Sequence, residues 1–566
     1  MMKSPVSASL VLLFGLSAMA QPQPVPAPAA PFPVSIQVDA AKPVGELKPI
    51  WRFFGADEPN YAYMKDGKKL LGELGELRSD DLYFRAHNLL NTGDGSPAYK
   101  WGSTNVYTED AAGRPVYDWT IVDRIFDTYR ARGVRPYAQI GFMPEAMSTQ
   151  PTPYQHEWRP GTGTGGIAAG WGYPPKDYAK WSELAYQWVK HCVERYGRAE
   201  VEKWYWEVWN EPNGASYWHG TVEEFCKLHD YAIAGVKRAL PTARVGGPDV
   251  AGAGGKFMED FLAHVARGTN YATGEKGTPT DFVAFHAKGS PSFVDGHVRL
   301  GIANQLRTVD AGFALIAAVP ELKNKAIVIG ESDPDGCAAC QGPRLGYRNT
   351  TMFSSYTAAV FARKHVLADR RGVNLEGALT WSFEFEDQPF FAGQRTLATA
   401  GIDLPVLNVF RMFSKMGGQR VATTSTGEVP LDAMMRDGVR GATPDVAALC
   451  GLEPHRLSVM VWHYHDDDVA GPDAAVELAV AHLPAGVGQA RLTHYRIDET
   501  HSNSFTEWKK FGSPTSPDKA QYVQMEKAGK LAQLAEPAEV RIENGAATLK
   551  FALPRQAVSL LVLEWQ

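Results

Sequence analysis

Between about residues 50 and 415 the chain repeats one pattern eight times: a short apolar run, followed in most intervals by an amphipathic helix. The runs are WRFFG (51–55), LYFRAHNLL (82–90), VRPYAQIGFMP (134–144), WYWEVWNEP (204–212), ARVGGPDV (243–250), DFVAFHAKG (281–289), AIVIGESD (326–333) and LEGALTWSFEFED (375–387). Ile121, Val122, Ile125, Phe126 and Tyr129 mark one helical stripe; Leu184, Trp188, Val189, Cys192, Val193 and Tyr196 mark another. PPKDYAKW from 174 supplies prolines and an Asp at a helix start. Eight strands separated by helices predict a (β/α)8 barrel. An open doubly wound sheet loses its main support, because no G-x-G-x-x-G follows the first strand.

After about residue 420 the texture changes. RLSVMVWHYH, AVELAVAHL, ARLTHYRID, AEVRIENGAATLKFALP and AVSLLVLEWQ alternate like strands and are spaced by turns, which predicts an all-β sandwich. PVSIQVDA at 33–40 has the same texture. At 566 residues the chain accommodates two domains. The expected division is a signal peptide at 1–20, a Pro/Ala-rich spacer at 21–32 and a strand segment at 33–50 that joins the sandwich. The catalytic barrel then takes 51–418 and the sandwich 419–566. The first 20 residues carry one lysine, an apolar stretch around LVLLFGL and Ala18-Met19-Ala20 as a small-x-small site, the layout of an export signal. The mature protein is then expected in the periplasm or outside the cell.

No segment approaches 18 apolar residues, and a net charge of -6 points to neither nucleic acid nor an anionic membrane. Of five cysteines, Cys192 and Cys226 fall in helical patterns and read as core residues. Cys337 and Cys340 form a CAAC that fits a redox pair, half a zinc site or a local disulfide; with no second CxxC or close His pair, the disulfide is the better reading. HYHDDD at 463–468 fits either a metal-binding hairpin or a hairpin with a solvated acidic tip.

In a barrel, the polar residues at the C-terminal strand ends line the active face. Glu211 ends the fourth run and Glu331 the seventh, each after residues apolar enough to be buried and each before a proline-containing loop. Paired carboxylates suit glycoside hydrolysis: one protonates the leaving oxygen and the other attacks the opposite face of the sugar. Their environments must push their pKa values apart, and the aromatic walls of WYWEVW are expected to raise that of Glu211.

Asn210-Glu211-Pro212 after an aromatic strand resembles the acid/base signature of the retaining-glycosidase clan built on (β/α)8 barrels. The ordered set YDWTIVDRIFDTYRARGVRPYAQIGFMP, WYWEVWNEPN, DFVAFHAKG, IVIGESDPDG, GIDLPVLNVFRMF and YRIDETHSNSF more closely resembles glycoside hydrolase family 39, which holds β-xylosidases and α-L-iduronidases. The resemblance implies Glu211 as acid/base, Glu331 as nucleophile and Asn210 on the sugar 2-hydroxyl. It implies His286 near the sugar and the nucleophile, with His87 in a comparable place after the second strand. Trp381 reads as a sugar-facing wall or a core residue. No metal or organic cofactor is implied.

The substrate signal is mixed. His286-Ala287-Lys288-Gly289 and Gln394-Arg395-Thr396-Leu397 resemble iduronidase stretches that present basic groups to a uronate, so Lys288 and Arg395 read as a carboxylate clamp. The plainer reading pairs Lys288 with Glu384 or Glu386 and gives Arg395 to a loop. WSFEFEDQPFFAG and DPDGCAACQGP look more like bacterial β-xylosidases, which makes Glu384 a candidate sugar contact. The expectation is a retaining exo-β-D-xylosidase acting on xylo-oligosaccharides, with an iduronidase-like or other family glycosidase as the alternative. A silent carbohydrate-binding protein is disfavoured because both glutamates are present. The connector at 149–175 is expected to wall the pocket, and the oligomeric state is not fixed by the sequence.

Overall fold

The computed structural model describes residues 30–566 apart from 99–100, 151–154, 157–166, 169–170, 338–339 and 383. The 1–20 segment, most of the spacer and most of the 149–175 connector lie outside the described residues. All eight apolar runs form parallel strands of one sheet: β1 (Phe53–Ala56), β2 (Tyr83–Ala86), β3 (Arg135–Ile140), β4 (Tyr205–Val208), β5 (Arg244–Val250), β6 (Phe282–His286), β7 (Ala326–Glu331) and β8 (Asn374–Ala378, resuming at Thr380–Trp381). The first part of β8 pairs with β7 and its resumption pairs with β1, which closes the barrel. The helix beginning at Tyr178 is capped by Asp177, whose carboxylate accepts from the N–H groups of Ala179 and Lys180.

Strand periodicity stacks the barrel interior in layers. Phe53, Tyr83, Tyr137, Tyr205 and Phe282 form an aromatic plug, with Phe53 stacked on Tyr83 at 5.1 Å and Tyr205 edge-on to Tyr83 at 4.9 Å. Two residues further along β2, β3 and β4, the inward positions are Arg85, Gln139 and Glu207, all fully buried. The next turn of the pleat brings His87 and His286 to the mouth. Polar chemistry thus sits on a dry aromatic floor.

The second sheet is mostly antiparallel. Its order is Gln489–Ile497, Val558–Glu564, Arg456–Tyr464, Asp445–Glu453, Gln419–Ser425, Phe32–Glu46, Ala474–Ala481 and Ala547–Leu553. Phe32–Glu46 runs antiparallel to Gln419–Ser425 and parallel to Ala474–Ala481. The sheet folds over itself: Val34, Ile36, Val476 and Leu478 from one half share a core with Leu457, Val459, Val461 and Leu561 from the other. Arg456–Tyr464 is buried on both faces, because Met460, Trp462 and Tyr464 turn toward the barrel core. Among the described residues, no helix is long and apolar enough to cross a membrane.

Candidate active site

Glu211 reaches the mouth through an unusual backbone. Trp209 (φ 72°) and Glu211 (φ 46°) both adopt the left-handed region, and so does Asp249 (φ 54°), whose carbonyl accepts from the Glu211 N–H at 2.9 Å. Such conformations are costly for non-glycine residues and cluster where geometry serves function. Here they turn a carboxylate out of the end of β4.

One imidazole joins the two strand-end glutamates. His286 Nδ1 lies 2.7 Å from Glu211 Oε1, while Nε2 lies 3.0 Å from Asp249 Oδ2 and 3.9 Å from Glu331 Oε1. Burial opposes a charge on His286, but Asp249, Glu331 and Glu211 outweigh it and push its pKa up to about 10. Glu331 is nearly buried, which alone would raise its pKa. Lys288, the charged His286 and Arg395 reverse that and hold it well below the usual carboxylate range. Lys288 Nζ bonds its Oε2, Arg395 Nη2 stands 3.6 Å from the same oxygen, and Arg85 Nη1 is 3.7 Å from Oε1.

The expectation that aromatic walls raise Glu211 is corrected. Burial does push it up, but the hydrogen bond and charge of His286 outweigh burial and lower it. The carboxyl in that strand raised by burial is Glu207, to about 8, despite Arg85. Proton and charge are therefore held by the Glu211–His286 pair rather than by a lone glutamic acid.

The remaining expected residues divide. Asn210 is buried, its Oδ1 accepting from Arg85 Nη2 at 2.9 Å, and its Nδ2 has no acceptor, leaving an amide for a hydroxyl. His87 lies 2.9 Å from Asp57 through Nδ1 and 2.7 Å from Arg85 Nη1 through Nε2. Burial and then Arg85 lower its pKa to about 3, so it is neutral, with its proton toward Asp57 and its Nε2 3.6 Å from Glu331. Trp381 has no exposed surface: it lies edge-on to His87 at 5.2 Å, beneath Lys288 and Arg395, and backs those residues instead of forming an open wall. Glu384 is buried as well. Its Oε1 accepts from the Gly401 N–H at 2.6 Å, and burial pushes its pKa up to about 8. Lys288 pairs instead with Glu331 and, at 3.7 Å, with Asp333, because β6 delivers it beside the end of β7.

Sequence reasoning missed Arg85, Glu207 and Asp249. Arg85 ties the site together: Nε donates to Glu207 at 2.6 Å, and Nη2 also pairs with Asp249. Each stands as a charged residue inside an apolar strand, the same signal that singled out Glu211. Also missed was the aromatic side of the mouth. Phe142 stacks on Trp171 at 4.4 Å and on Tyr217 at 5.7 Å. The Tyr217 phenol is raised by burial and then by the charges of Glu211 and Glu331. These contacts cross loops and leave no local pattern.

The fold agrees with the comparisons. The model of glycosyl hydrolases family 39 matches residues 34–542. The β-xylosidase of Geobacillus stearothermophilus is 26% identical over 545 residues, covering 92% of this chain and 93% of that one. The α-L-iduronidase of Mus musculus is 24% identical, over 87% of this chain and 75% of its own. The monomeric β-xylosidase structure from Caulobacter crescentus CB15 shares the fold at a TM-score of 0.73 and 21% identity, covering 94% of this chain and 99% of that one. The chain belongs to glycosyl hydrolases family 39 and is a glycoside hydrolase.

Proposed function

We propose that the protein is a retaining exo-β-D-xylosidase that removes terminal xylose from xylo-oligosaccharides by double displacement. The observation that carries this reading is the single imidazole between two carboxylates, one of them sunk among cations. Glu331 is ionised and attacks the anomeric carbon. The C1–O bond breaks, and the leaving oxygen takes the one proton of the Glu211–His286 pair, passed from His286 Nδ1 through the Glu211 carboxyl so that His286 is left neutral. In the second step the pair takes a proton from water. The water oxygen attacks C1 and Glu331 leaves as a carboxylate, a departure favoured by Lys288 and Arg395.

Two things support xylose. The β-xylosidase of Geobacillus stearothermophilus spans nearly the whole chain. Lys288 and Arg395 are already committed to Glu331 and Asp333, so neither stands uncompensated for a uronate. A second reading, hydrolysis of α-L-iduronides, rests on the same two cations and on the iduronidase relatives. Export is part of the proposal, supported by the Cys337–Cys340 disulfide.

Initial rates on aryl β-D-xyloside and aryl α-L-iduronide, with Glu331→Ala as the blank, separate the two readings. Xyloside turnover lost in the variant is expected; iduronide turnover would make Lys288 and Arg395 specificity residues. Glu211→Ala should keep glycosylation by substrates with good leaving groups and give a β-glycosyl azide with azide, because such leaving groups need no proton. Undiminished activity of Glu211→Ala on poor leaving groups would sink its assignment.

A further inference from the structure

Behind Glu331 lies a second buried guanidinium that the reaction above does not use. Arg348 comes from the short turn Pro343–Asn349 and has no exposed surface. An arginine carries five N–H donors, and all five of these have acceptors. Nε and Nη2 straddle the Asp335 carboxylate at 3.3 and 2.7 Å. Nη2 also donates to the Cys337 carbonyl at 2.5 Å. Nη1 donates to the carbonyls of Cys340 at 2.7 Å and Gly393 at 2.9 Å.

Those acceptors come from two loops distant in sequence. Asp335, Cys337 and Cys340 follow Glu331, and the disulfide joins the two cysteines whose carbonyls Arg348 holds. Gly393 stands two residues before Arg395. Arg395 in turn donates from Nη1 to the Asp335 backbone carbonyl and points Nη2 at Glu331 Oε2, 3.6 Å away.

We propose that Arg348 is a positioning residue that locks the loop after β7 to the loop after β8, so that Arg395 stands against Glu331 and not against the Asp335 carboxylate. This rests on Glu331 being the nucleophile. Asp335 is a buried anion. Arg348 and then Arg395 hold its pKa down to about 2 against burial. Without Arg348, the cation left beside Asp335 is Arg395, which would turn from Glu331 to the Asp335 carboxylate, and Glu331 loses one of the charges that keep it ionised. Lysine has three donors and a point charge, so it cannot span these acceptors.

The test compares wild type with Arg348→Lys, Arg348→Ala and the double variant Cys337→Ser/Cys340→Ser. One readout is the pH profile of kcat/KM on an aryl glycoside that wild type cleaves. The other needs no substrate: carbodiimide amidation at Glu331, followed by peptide mass mapping across pH, because only the protonated carboxyl reacts. In both Arg348 variants the acid limb and the amidation midpoint should rise by about one pH unit, an about tenfold loss of kcat/KM below the limb. Guanidinium ion should restore part of the loss in Arg348→Ala and none in Arg348→Lys. The cysteine variant should shift the same way by less. A folded Arg348 variant with both midpoints unchanged overturns the proposal. Should Arg348→Ala not fold, the lysine and serine variants decide. If wild type cleaves no aryl glycoside, the proposed function fails by itself, and the amidation midpoints still judge Arg348.

Discussion

Glu207 and Glu211 lie on one strand and its end, four residues apart, yet their environments push them in opposite directions. Glu207 is sealed in the layer above the aromatic plug, where burial dominates. Glu211 meets an imidazolium whose charge Asp249 and Glu331 sustain. This leads to a pH prediction. The acid limb of kcat/KM belongs to Glu331 and should lie below the ordinary glutamate value of 4.5. The basic limb belongs to the Glu211–His286 pair, which keeps one proton until about pH 10. In His286→Asn the imidazolium is gone, and the basic limb should fall toward the range of a buried carboxylic acid. An initial-rate pH series on both proteins checks this; an unmoved basic limb would place the proton elsewhere.

The acidic tip of HYHDDD shows how an element finds its role only in contact. Asp466 is fully buried and Asp467 nearly so, which corrects the solvated-tip reading for these two and leaves it to the exposed Asp468. Asp467 pairs with Arg299 of the hairpin after β6, with Nη2 at 3.0 Å. Asp466 accepts from Tyr464 Oη at 2.6 Å and from the Val439 N–H at 2.9 Å, while its backbone carbonyl takes the Leu300 N–H at 2.7 Å, just before the helix Ile302–Ala317. The tip therefore fastens the β domain to the barrel. Asp466→Ala leaves two buried donors without acceptors and should cost about 2–3 kcal/mol, read as a lower denaturant midpoint at unchanged slope. A midpoint within error of wild type would remove the tip from the interface.

At the scale of the whole molecule, the helix Thr351–Arg371 lies between the two domains and is buried nearly all round. Tyr356 packs edge-on to Tyr464 at 5.7 Å, and Arg363 pairs with Asp445 at 3.0 Å while facing the Trp462 ring. On the same helix, Lys364 is buried with no hydrogen-bond acceptor, and burial lowers its pKa to about 7. The unfolded chain protonates this lysine up to about pH 10.5 and the folded one only to about 7. Folding stability should therefore rise with pH across that window, because the unfolded state binds more protons there. Lys364→Met should lose that slope and raise Tm at pH 7 by at least about 3 °C, measured by calorimetry across the window. The eight strands, the strand-end glutamates and the change to β texture near residue 420 were legible because burial imposes periodicity on neighbouring residues. The same rule marked Arg85 and Asp249, had it been applied to every strand. Other assignments were out of reach. That His286 lowers Glu211, that Lys288 goes to Glu331 and not Glu384, that Arg348 spans two loops and that Asp466 docks on the barrel are pairings between distant segments. Sequence determined which residues are buried and which are charged. Only the closed barrel with its covering sheet decided which charges meet, because electrostatic interaction depends on distance and desolvation, and neither is set by position along the chain.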